Sequence, residues 1–293
     1  MILRPVAKVN LGLNVVERRP DGYHNLETVF YPVPLCDTLE VRSSCLDKRP
    51  VGPSGGGKGV VDVKDVKEGG CHLEVSGVTV EGDVQENLVV RAYKLLKEDF
   101  PHMAAVEARL HKEIPTQAGM GGGSSDCAYM IRGLNELCRL GLSDEQMIGY
   151  AARLGADCPF FILSRPAYAE GIGERLRPVN VELGGLWMAI VRPDIPVPTR
   201  DAFRLVKPVK PVKNCLEIVS QPVETWREEL VNDFEQSVFA LHPEIGAVKE
   251  RLYELGAVYA AMSGSGSALF GLFREAPDLS HDFQGMFVRV VRL

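Results

Sequence analysis

The segment IPTQAGMGGGSSDCAYMI, which begins at Ile114, constrains the fold of this chain more strongly than any other segment. It carries four glycines and two serines between a strand pattern and a helix pattern. The preceding residues, AVEARLHKEI, alternate between apolar and charged side chains, whereas Cys127, Met130 and Leu134 recur at helical intervals. The sequence therefore predicts a glycine-rich turn that leads from a strand into the first turn of a helix.

Such a turn has the properties of an anion site. A helix N-terminus presents unpaired backbone N–H groups and the positive end of the helix dipole. Gly119 and Gly121–Gly123 permit positive φ and let several amides converge on phosphate oxygens. Ser124 and Ser125 can cap the helix, or contact phosphate or its magnesium. The alternative is a flexible loop with a serine cap, and a glycine run alone does not separate the two.

Charge and composition oppose several classes of protein. The 33 basic residues against 39 acidic ones give a net charge of −6, so no broad basic surface for nucleic acid is expected. No apolar run is long enough to span a bilayer, and the amino terminus enters a strand pattern without signal-peptide features, which predicts a cytoplasmic protein. Seven cysteines and six histidines are scattered without the spacing of a structural metal site.

The order of patterns predicts two α+β domains, residues 1–165 and 166–293. The first begins as a β-meander, with strands in KVNLGLNV, ETVFYPV and DTLEVR. Residues 43–71 are rich in Gly, Lys and Pro and are predicted to be a surface insertion. The second domain shows strands in LWMAIVRP and MFVRVVRL, and a second glycine-serine loop, SGSGS, starts at Ser263.

Helix signals fall at several positions in the first domain. Asn87 is a cap for a helix in LVVRAYKLLKED. Ser143 and Gln146 form a capping box for another helix, which ends at Gly155. Asp157 stands immediately past that end, and from the residues alone it is equally a turn residue before a proline or a general base.

The stretch PTQAGMGGGSSD resembles the ATP-binding motif, P-x-x-x-G-L-G-S-S, of the galactokinase, homoserine kinase, mevalonate kinase and phosphomevalonate kinase superfamily. Its extra glycines are similar to the branch that acts on a cytidine diphosphate-linked methylerythritol. AKVNLGLNVVERRPDGYHNLETVF, ENLVVRAY, LGADCPFFI, AEGIGE, NDFE and MSGSGSALFGLF resemble that branch in order, over nearly the whole chain. Met120 in place of leucine, Cys127 in place of alanine and the 43–71 segment depart from the pattern.

The resemblance implies an N-terminal domain like the second domain of ribosomal protein S5 and a ferredoxin-like C-terminal domain, with the active site between them. It implies transfer of the γ-phosphate of ATP, with Mg²⁺, to the free 2-hydroxyl of a small-molecule substrate. No nucleic acid or membrane partner is expected, and the protein is expected to be a monomer or weak homodimer. The implied ATP-binding residues are Pro115, Thr116, Gln117, Ala118, Gly119, Met120, Gly121, Gly122, Gly123, Ser124, Ser125 and Asn87.

The resemblance also implies catalytic roles for Asp157 and Lys8. Asp157 is the expected base that accepts the proton of the attacking hydroxyl. Lys8 lies on the polar side of the first strand, where the pattern alone favours a solvated lysine. Its match to AKVNLGL implies instead a cation that keeps the carboxylate ionised and stabilises developing negative charge.

The implied substrate-binding residues are Asn10, Tyr23, His24, Thr199 and Phe203. Tyr23 and His24 would hold the cytidine end by stacking and hydrogen bonding, and Phe203 would supply the opposite ring. Each has an ordinary structural alternative, such as a solvated Asn10 or a core Phe203. The loop Ser263–Ser267 resembles a third superfamily motif, and its alternative is a tight strand connection.

Two other functions compete with this hypothesis. One is another small-alcohol kinase of the superfamily, acting on mevalonate, homoserine or a sugar, for which base-stacking aromatics would have no purpose. The other is a noncatalytic RNA-binding module, because S5-like domains occur in ribosomal proteins. The acidic net charge opposes the second alternative.

Overall fold

The computed structural model describes residues 1–44, 70–79 and 83–293, which group into two compact units. Unit one comprises residues 1–6, 35–116 and 121–164, and unit two comprises residues 7–34, 117–120 and 165–293. Most of the predicted surface insertion at 43–71 lies outside the described residues.

The described residues form helices and strands in the following order. The strands are β1 (Ile2–Leu3), β2 (Val6–Arg18), β3 (His24–Cys36), β4 (Thr38–Ser43), β5 (Cys71–Gly77), β6 (Val106–Lys112), β7 (Ala167–Gly171), β8 (Arg175–Pro178), β9 (Trp187–Arg192), β10 (Tyr259–Met262), β11 (Leu269–Phe273) and β12 (Phe287–Arg292). The α-helices are α1 (Leu88–Asp99), α2 (Gly122–Leu137), α3 (Asp144–Ala152), α4 (Cys158–Leu163), α5 (Thr199–Ala202), α6 (Cys215–Val219), α7 (Trp226–Glu229), α8 (Phe234–Leu241) and α9 (Pro243–Glu254). The mixture confirms the predicted α+β class.

Unit one is built on a four-stranded sheet with the order β1-β4-β6-β5. The pairs β1–β4 and β4–β6 are antiparallel, whereas β5 and β6 run parallel. Helices α1 and α2 pack against each other, α1 against β5 and α2 against β4. The helix signals of the sequence are confirmed here, since Asn87 Oδ1 accepts the N–H of Val89 at 2.9 Å and Ser143 with Gln146 forms the capping box of α3.

Unit two contains two four-stranded sheets, with the orders β2-β3-β7-β8 and β10-β11-β9-β12. The pairing of β3 with β7 explains why residues 7–34 group with the carboxyl-terminal part of the chain, whereas the sequence patterns predict a single boundary at 165/166. Apolar side chains of β2, β9, α8 and α9 form a shared core. Within the described residues, no helix has the length and apolar character needed to cross a membrane.

Both faces of strand β2 are buried from Ala7 to Val15. The face with Val9, Leu11 and Leu13 is internal, as the alternation predicts. The opposite face is covered as well, since a Cβ on Gly12 would lie 2.6 Å from Leu230 Cδ1 and 2.8 Å from Cys215 Sγ. The alternative of a solvated lysine on this face is therefore wrong, because segments that lie some 200 residues later in the chain pack over the face.

Candidate active site

The glycine stretch forms the predicted strand-to-helix turn. Strand β6 ends at Lys112 and α2 begins at Gly122, with Gly121 as the N-cap residue in the left-handed conformation at φ 69°. No side chain caps this helix, so the serine cap considered in the sequence is wrong. Ser124 and Ser125 lie instead within the first turns of α2, and Ser125 N–H donates to Gly121 O at 2.8 Å. A glycine cap leaves the helix N-terminus open to an anion.

Residues 117–120 of the stretch lie in unit two, where they contact the second glycine-serine loop. Gly119 has a φ of 73°, and a Cβ there would lie 1.9 Å from Ser263 O. The Ser263 hydroxyl donates to Gly119 O at 2.9 Å, and Ala268 N–H donates to Ala118 O at 3.3 Å. This close approach requires glycine at position 119. The SGSGS loop also connects the antiparallel strands β10 and β11, as expected from the alternative interpretation of Ser263–Ser267 as a strand connection.

Lys8 and Asn10 belong to the same cluster in unit two. Lys8 N–H donates to Met120 O at 3.0 Å, and Lys8 Nζ donates to Asn10 Oδ1 at 2.7 Å. Asn10 Nδ2 donates in turn to Thr28 Oγ1 at 3.0 Å, and Ser263 Oγ lies 3.4 Å from Asn10 Oδ1. Lys8 is only 3% exposed, so its charge is held where a point charge acts through a low dielectric.

Asp157 lies in unit one, at the N-cap position of α4, with φ −82° and ψ −17°. Its side chain is half-buried and makes no capping hydrogen bond to α4. A Cβ on Gly155 would lie 3.1 Å from Cys158 Sγ and 4.0 Å from Ser124 Oγ. The segment that carries Asp157 therefore lies against the start of α2.

The thiol of Cys158 lies in the same region, between α4 and the start of α2. A hydrogen bond from Cys127 lowers the pKa of Cys158 below its usual value. Burial of the thiol opposes this effect, and a smaller contribution, a hydrogen bond from Ser124, adds to it. The hydrogen bond to Cys158, together with burial, raises the pKa of Cys127 well above its usual value. Two buried thiols thus fill the space between α2 and α4.

The remaining residues predicted to bind ATP are Asn87, Pro115 and Thr116 in unit one and the exposed Gln117 in unit two. Asn87 caps α1 and is half-buried, and Pro115 is buried. Thr116 Oγ1 donates to Thr79 O at 3.4 Å. Gln117 is exposed and adopts a positive φ of 51°, which is uncommon outside glycine.

The predicted cytidine-binding residues are partly brought together in unit two. The His24 and Phe203 rings stack at a centroid distance of 4.7 Å and an interplanar angle of 23°, and Phe203 meets Phe234 edge-on. Tyr23 is 62% exposed in the turn before β3, where its N–H donates to Asp21 Oδ1. Thr199 is exposed at the start of α5, the short helix that ends beside Phe203.

The sequence analysis did not identify three charged residues of unit one that the structure places beside the glycine stretch. Lys112, Asp37 and Asp126 are buried and form a cluster. The burial of two of them could have been predicted from the side-chain periodicity. Lys112 is in phase with the buried apolar residues of β6, Val106, Ala108 and Leu110. Asp126 precedes the buried Met130 and Leu134 of α2 by one and two helical turns. Nothing in the sequence predicted the burial of Asp37, because an aspartate between two strands is an ordinary turn residue.

No group of three or more His, Cys, Asp or Glu side chains that could hold a metal occurs in residues 1–44, 70–79 or 83–293.

Two family models match the chain: the GHMP kinases N terminal domain over residues 87–165, and the GHMP kinases C terminal domain over residues 215–284. The first match spans α1, the glycine stretch and Asp157, and the second contains the SGSGS loop. The two family models identify the chain as a GHMP kinase, which confirms the superfamily resemblance.

Curated relatives narrow the family. A protein of Bacteroides thetaiotaomicron named 4-diphosphocytidyl-2-C-methyl-D-erythritol kinase is 48% identical over 93% of this chain and 92% of its own length. A protein of Bacteroides fragilis with the same name is 46% identical over 98% of this chain and 97% of its own length. A crystal structure of a 4-(cytidine 5'-diphospho)-2C-methyl-D-erythritol kinase, 35% identical, superposes with a TM-score of 0.73 over 93% of this chain and 90% of that one. The chain belongs to the family of the 4-diphosphocytidyl-2-C-methyl-D-erythritol kinases.

Proposed function

We propose that this protein transfers the γ-phosphate of ATP to the free 2-hydroxyl of 4-diphosphocytidyl-2-C-methyl-D-erythritol, a step of non-mevalonate isoprenoid biosynthesis. Membership of the family supports the acceptor. The observation that carries the reaction is the buried Lys8, whose ammonium is oriented by Asn10 and whose backbone is hydrogen-bonded to Met120 of the glycine stretch. A buried lysine whose backbone is hydrogen-bonded to a glycine-rich stretch suits phosphoryl transfer.

The glycine stretch binds the phosphates of ATP in this proposal. The open N-terminus of α2 offers backbone N–H groups around Gly121–Gly123, and the hydroxyl of Ser125 adds a donor. The hydroxyl of Ser124 would add another by turning from Cys158 to the nucleotide. Ser125 Oγ is buried and has no hydrogen-bond partner among the described residues, which supports its use by a ligand. Magnesium bound with ATP would neutralise charge on the phosphates, and no protein ligand is assigned to it.

Asp157 accepts the proton of the 2-hydroxyl as the oxygen of that hydroxyl bonds to the γ-phosphorus and ADP leaves. Its place at the start of α4, on the segment whose Gly155 lies against Ser124 of α2, supports this role. Lys8 stabilises negative charge on the transferred phosphoryl group, and its burial strengthens that interaction. We also propose that Asn10 binds substrate hydroxyls.

His24 and Phe203 recognise the cytosine ring in this proposal, with Tyr23 and Thr199 as further contacts. The direct stack of His24 on Phe203 supports an aromatic site. A cytosine between the rings would replace that single stack by two, so the centroids would move apart to about twice their present separation. Other alcohol substrates of the superfamily have no base to stack.

The cellular setting is also proposed. The six cysteines of the described residues are free thiols, as is usual in a reducing compartment, and this supports a cytoplasmic location. We propose that the enzyme acts as a monomer or weak homodimer.

The first experiment measures ADP release from magnesium-ATP in the presence of 4-diphosphocytidyl-2-C-methyl-D-erythritol, mevalonate, homoserine or galactose. We expect turnover with the first acceptor alone. Turnover with one of the others instead would keep the kinase class and overturn the base-recognition roles. Absence of turnover with all four would overturn the proposed function.

The second experiment tests the catalytic residues. Asp157→Asn and Lys8→Met should each lower kcat by at least about 100-fold, the scale of general base and electrostatic contributions. Asp144→Asn, at the exposed first residue of α3, is the matched control and should retain activity. A near-normal rate in a folded Asp157→Asn or Lys8→Met protein would refute the role of that residue.

A further inference from the structure

A cluster of three buried charges lies beside the glycine stretch in unit one. Lys112 Nζ donates to Asp126 Oδ2 at 2.6 Å and also contacts Asp37 Oδ2. The three side chains are 0–4% exposed, which makes these the most deeply buried ion pairs of the described residues. The reaction proposed above assigns no step to them.

The cluster joins the two ends of the stretch that lie in unit one. Asp37 Oδ1 accepts the N–H groups of Glu113 at 2.6 Å and Ile114 at 2.9 Å, the last two residues before Pro115. Asp126 directly follows Ser125 in α2. Lys112 therefore connects the residues that lead into the stretch with the helix that leaves it, and closes a loop across a sequence separation of 14 residues.

The composition of the cluster does not suit a role in stability alone. Buried ion pairs lose much of their Coulomb attraction to desolvation, and well-packed apolar residues often replace them without loss of stability. Here two carboxylates share one ammonium, and Asp126 Oδ1 is buried without a hydrogen-bond partner among the described residues. Burial, only partly offset by Lys112, raises the pKa of Asp126 to about 7. Burial acts to lower the pKa of Lys112, but Asp126 and Asp37 outweigh it and the pKa lies above its usual value.

The cluster supplies directed hydrogen bonds, which apolar side chains could not supply. The Asp37 carboxylate holds two backbone N–H groups at the start of the stretch, and the Lys112 ammonium orients both carboxylates at once. The close fit extends to the helix, because a Cβ on Gly122 would lie 3.0 Å from Ile114 Cγ2 and 3.3 Å from Lys112 Nζ. A change in the cluster should therefore be felt at the first turn of α2.

We propose that Lys112, Asp37 and Asp126 are positioning residues for the nucleotide: they hold the residues before Pro115 and the first turn of α2 in the arrangement that binds the phosphates of ATP. None of the three is proposed to touch the reacting atoms. The inference rests on the proposed use of the glycine stretch as an ATP site.

The test separates nucleotide binding from acceptor binding in Asp126→Asn, which keeps the shape of the side chain, and in Lys112→Met. We expect KM for ATP to rise about tenfold or more, while KM for the acceptor stays within about twofold. Glu107→Gln, which breaks the half-exposed Arg42–Glu107 ion pair between β4 and β6, is the matched control and should change neither constant. Circular dichroism at the assay temperature verifies that each protein is folded.

A folded Asp126→Asn protein with an unchanged KM for ATP would overturn the inference, as would an equal rise in both constants. Failure of both variants to fold would also overturn it, because the cluster would then be a folding element. Calorimetric titration with magnesium-ADP gives a readout independent of turnover. If the wild-type protein bound the nucleotide but phosphorylated no acceptor, the proposed function would fail, and the affinities of the variants would still decide this inference.

Discussion

Replacement of Gly119 by alanine tests the contact on which the unit-two part of the site depends. The residue has a φ of 73°, and the added Cβ would stand 1.9 Å from the carbonyl oxygen of Ser263. That oxygen belongs to the backbone, so no side-chain rotation can relieve the collision. Alanine at position 119 must therefore separate the glycine stretch from the SGSGS loop.

The expected loss of stability has two parts. A non-glycine residue in the left-handed conformation costs about 1–2 kcal/mol. Separation of the loops also removes the hydrogen bond from Ser263 Oγ to Gly119 O, worth about 0.5–1.5 kcal/mol, and weakens the packing around it. Gly119→Ala should lower the free energy of unfolding by about 2–4 kcal/mol.

Two other glycines separate these effects in urea unfolding experiments. Gly141 has a φ of 71° and open space where an added Cβ would stand, so Gly141→Ala should cost only the conformational part, about 1–2 kcal/mol. Gly149 has neither a positive φ nor a neighbour, and because it lies in α3, Gly149→Ala should stabilise the protein by about 0.5–1 kcal/mol.

The same three proteins are assayed for KM of ATP. Gly119→Ala should raise it, since the displaced backbone includes the Met120 carbonyl that accepts from Lys8, and the other two variants should leave it unchanged. Equal stability losses in Gly119→Ala and Gly141→Ala would refute the close contact between the loops. A normal KM in a destabilised Gly119→Ala protein would refute its connection to ATP binding.

Three further outcomes are expected. The raised pKa of Asp126 keeps its carboxyl protonated in the folded protein while it is ionised in the unfolded chain, so the free energy of unfolding should fall as the pH rises from near 4 to about 7. Asp126→Asn should lose this pH dependence in urea titrations, and an unchanged slope would contradict the shift. Asn232 Nδ2 donates to Met262 O and Gly264 O, so Asn232→Ala should lower the free energy of unfolding by about 2–4 kcal/mol, and a loss below about 1 kcal/mol would count against these bonds. His24→Ala should raise KM for the cytidine-bearing acceptor but not for ATP, and steady-state kinetics with an unaltered acceptor KM would exclude His24 from base recognition.

The local elements could be predicted because their causes are neighbours in the chain. The capping box of Ser143 and Gln146 and the cap at Asn87 act over two or three residues, and both are confirmed where they were predicted. The alternation in β6 and the glycines that follow it likewise locate the strand, the turn and the next helix. The resemblance carried by the glycine stretch identified the superfamily, which the family models confirm.

The N-cap of α2 shows where local reasoning stops. Serine is a strong capping residue, and the sequence offers two serines at the start of the helix. The helix nevertheless begins earlier, at Gly122, because Gly121 adopts a left-handed conformation that only glycine reaches easily. The capping preference of serine therefore located the start of α2 to the right segment but predicted the wrong N-cap residue.

The sequence by itself determined the elements, the two glycine loops and the family of this protein. The tertiary structure alone decided that Lys8 is buried, that Ser263 meets Gly119 across a sequence separation of 144 residues, and that Asp37 reaches Lys112 across 75. Side-chain periodicity reports only which face of an element is apolar. Which distant segment covers that face, and therefore which polar groups are desolvated and paired, depends on packing between residues that share no local pattern.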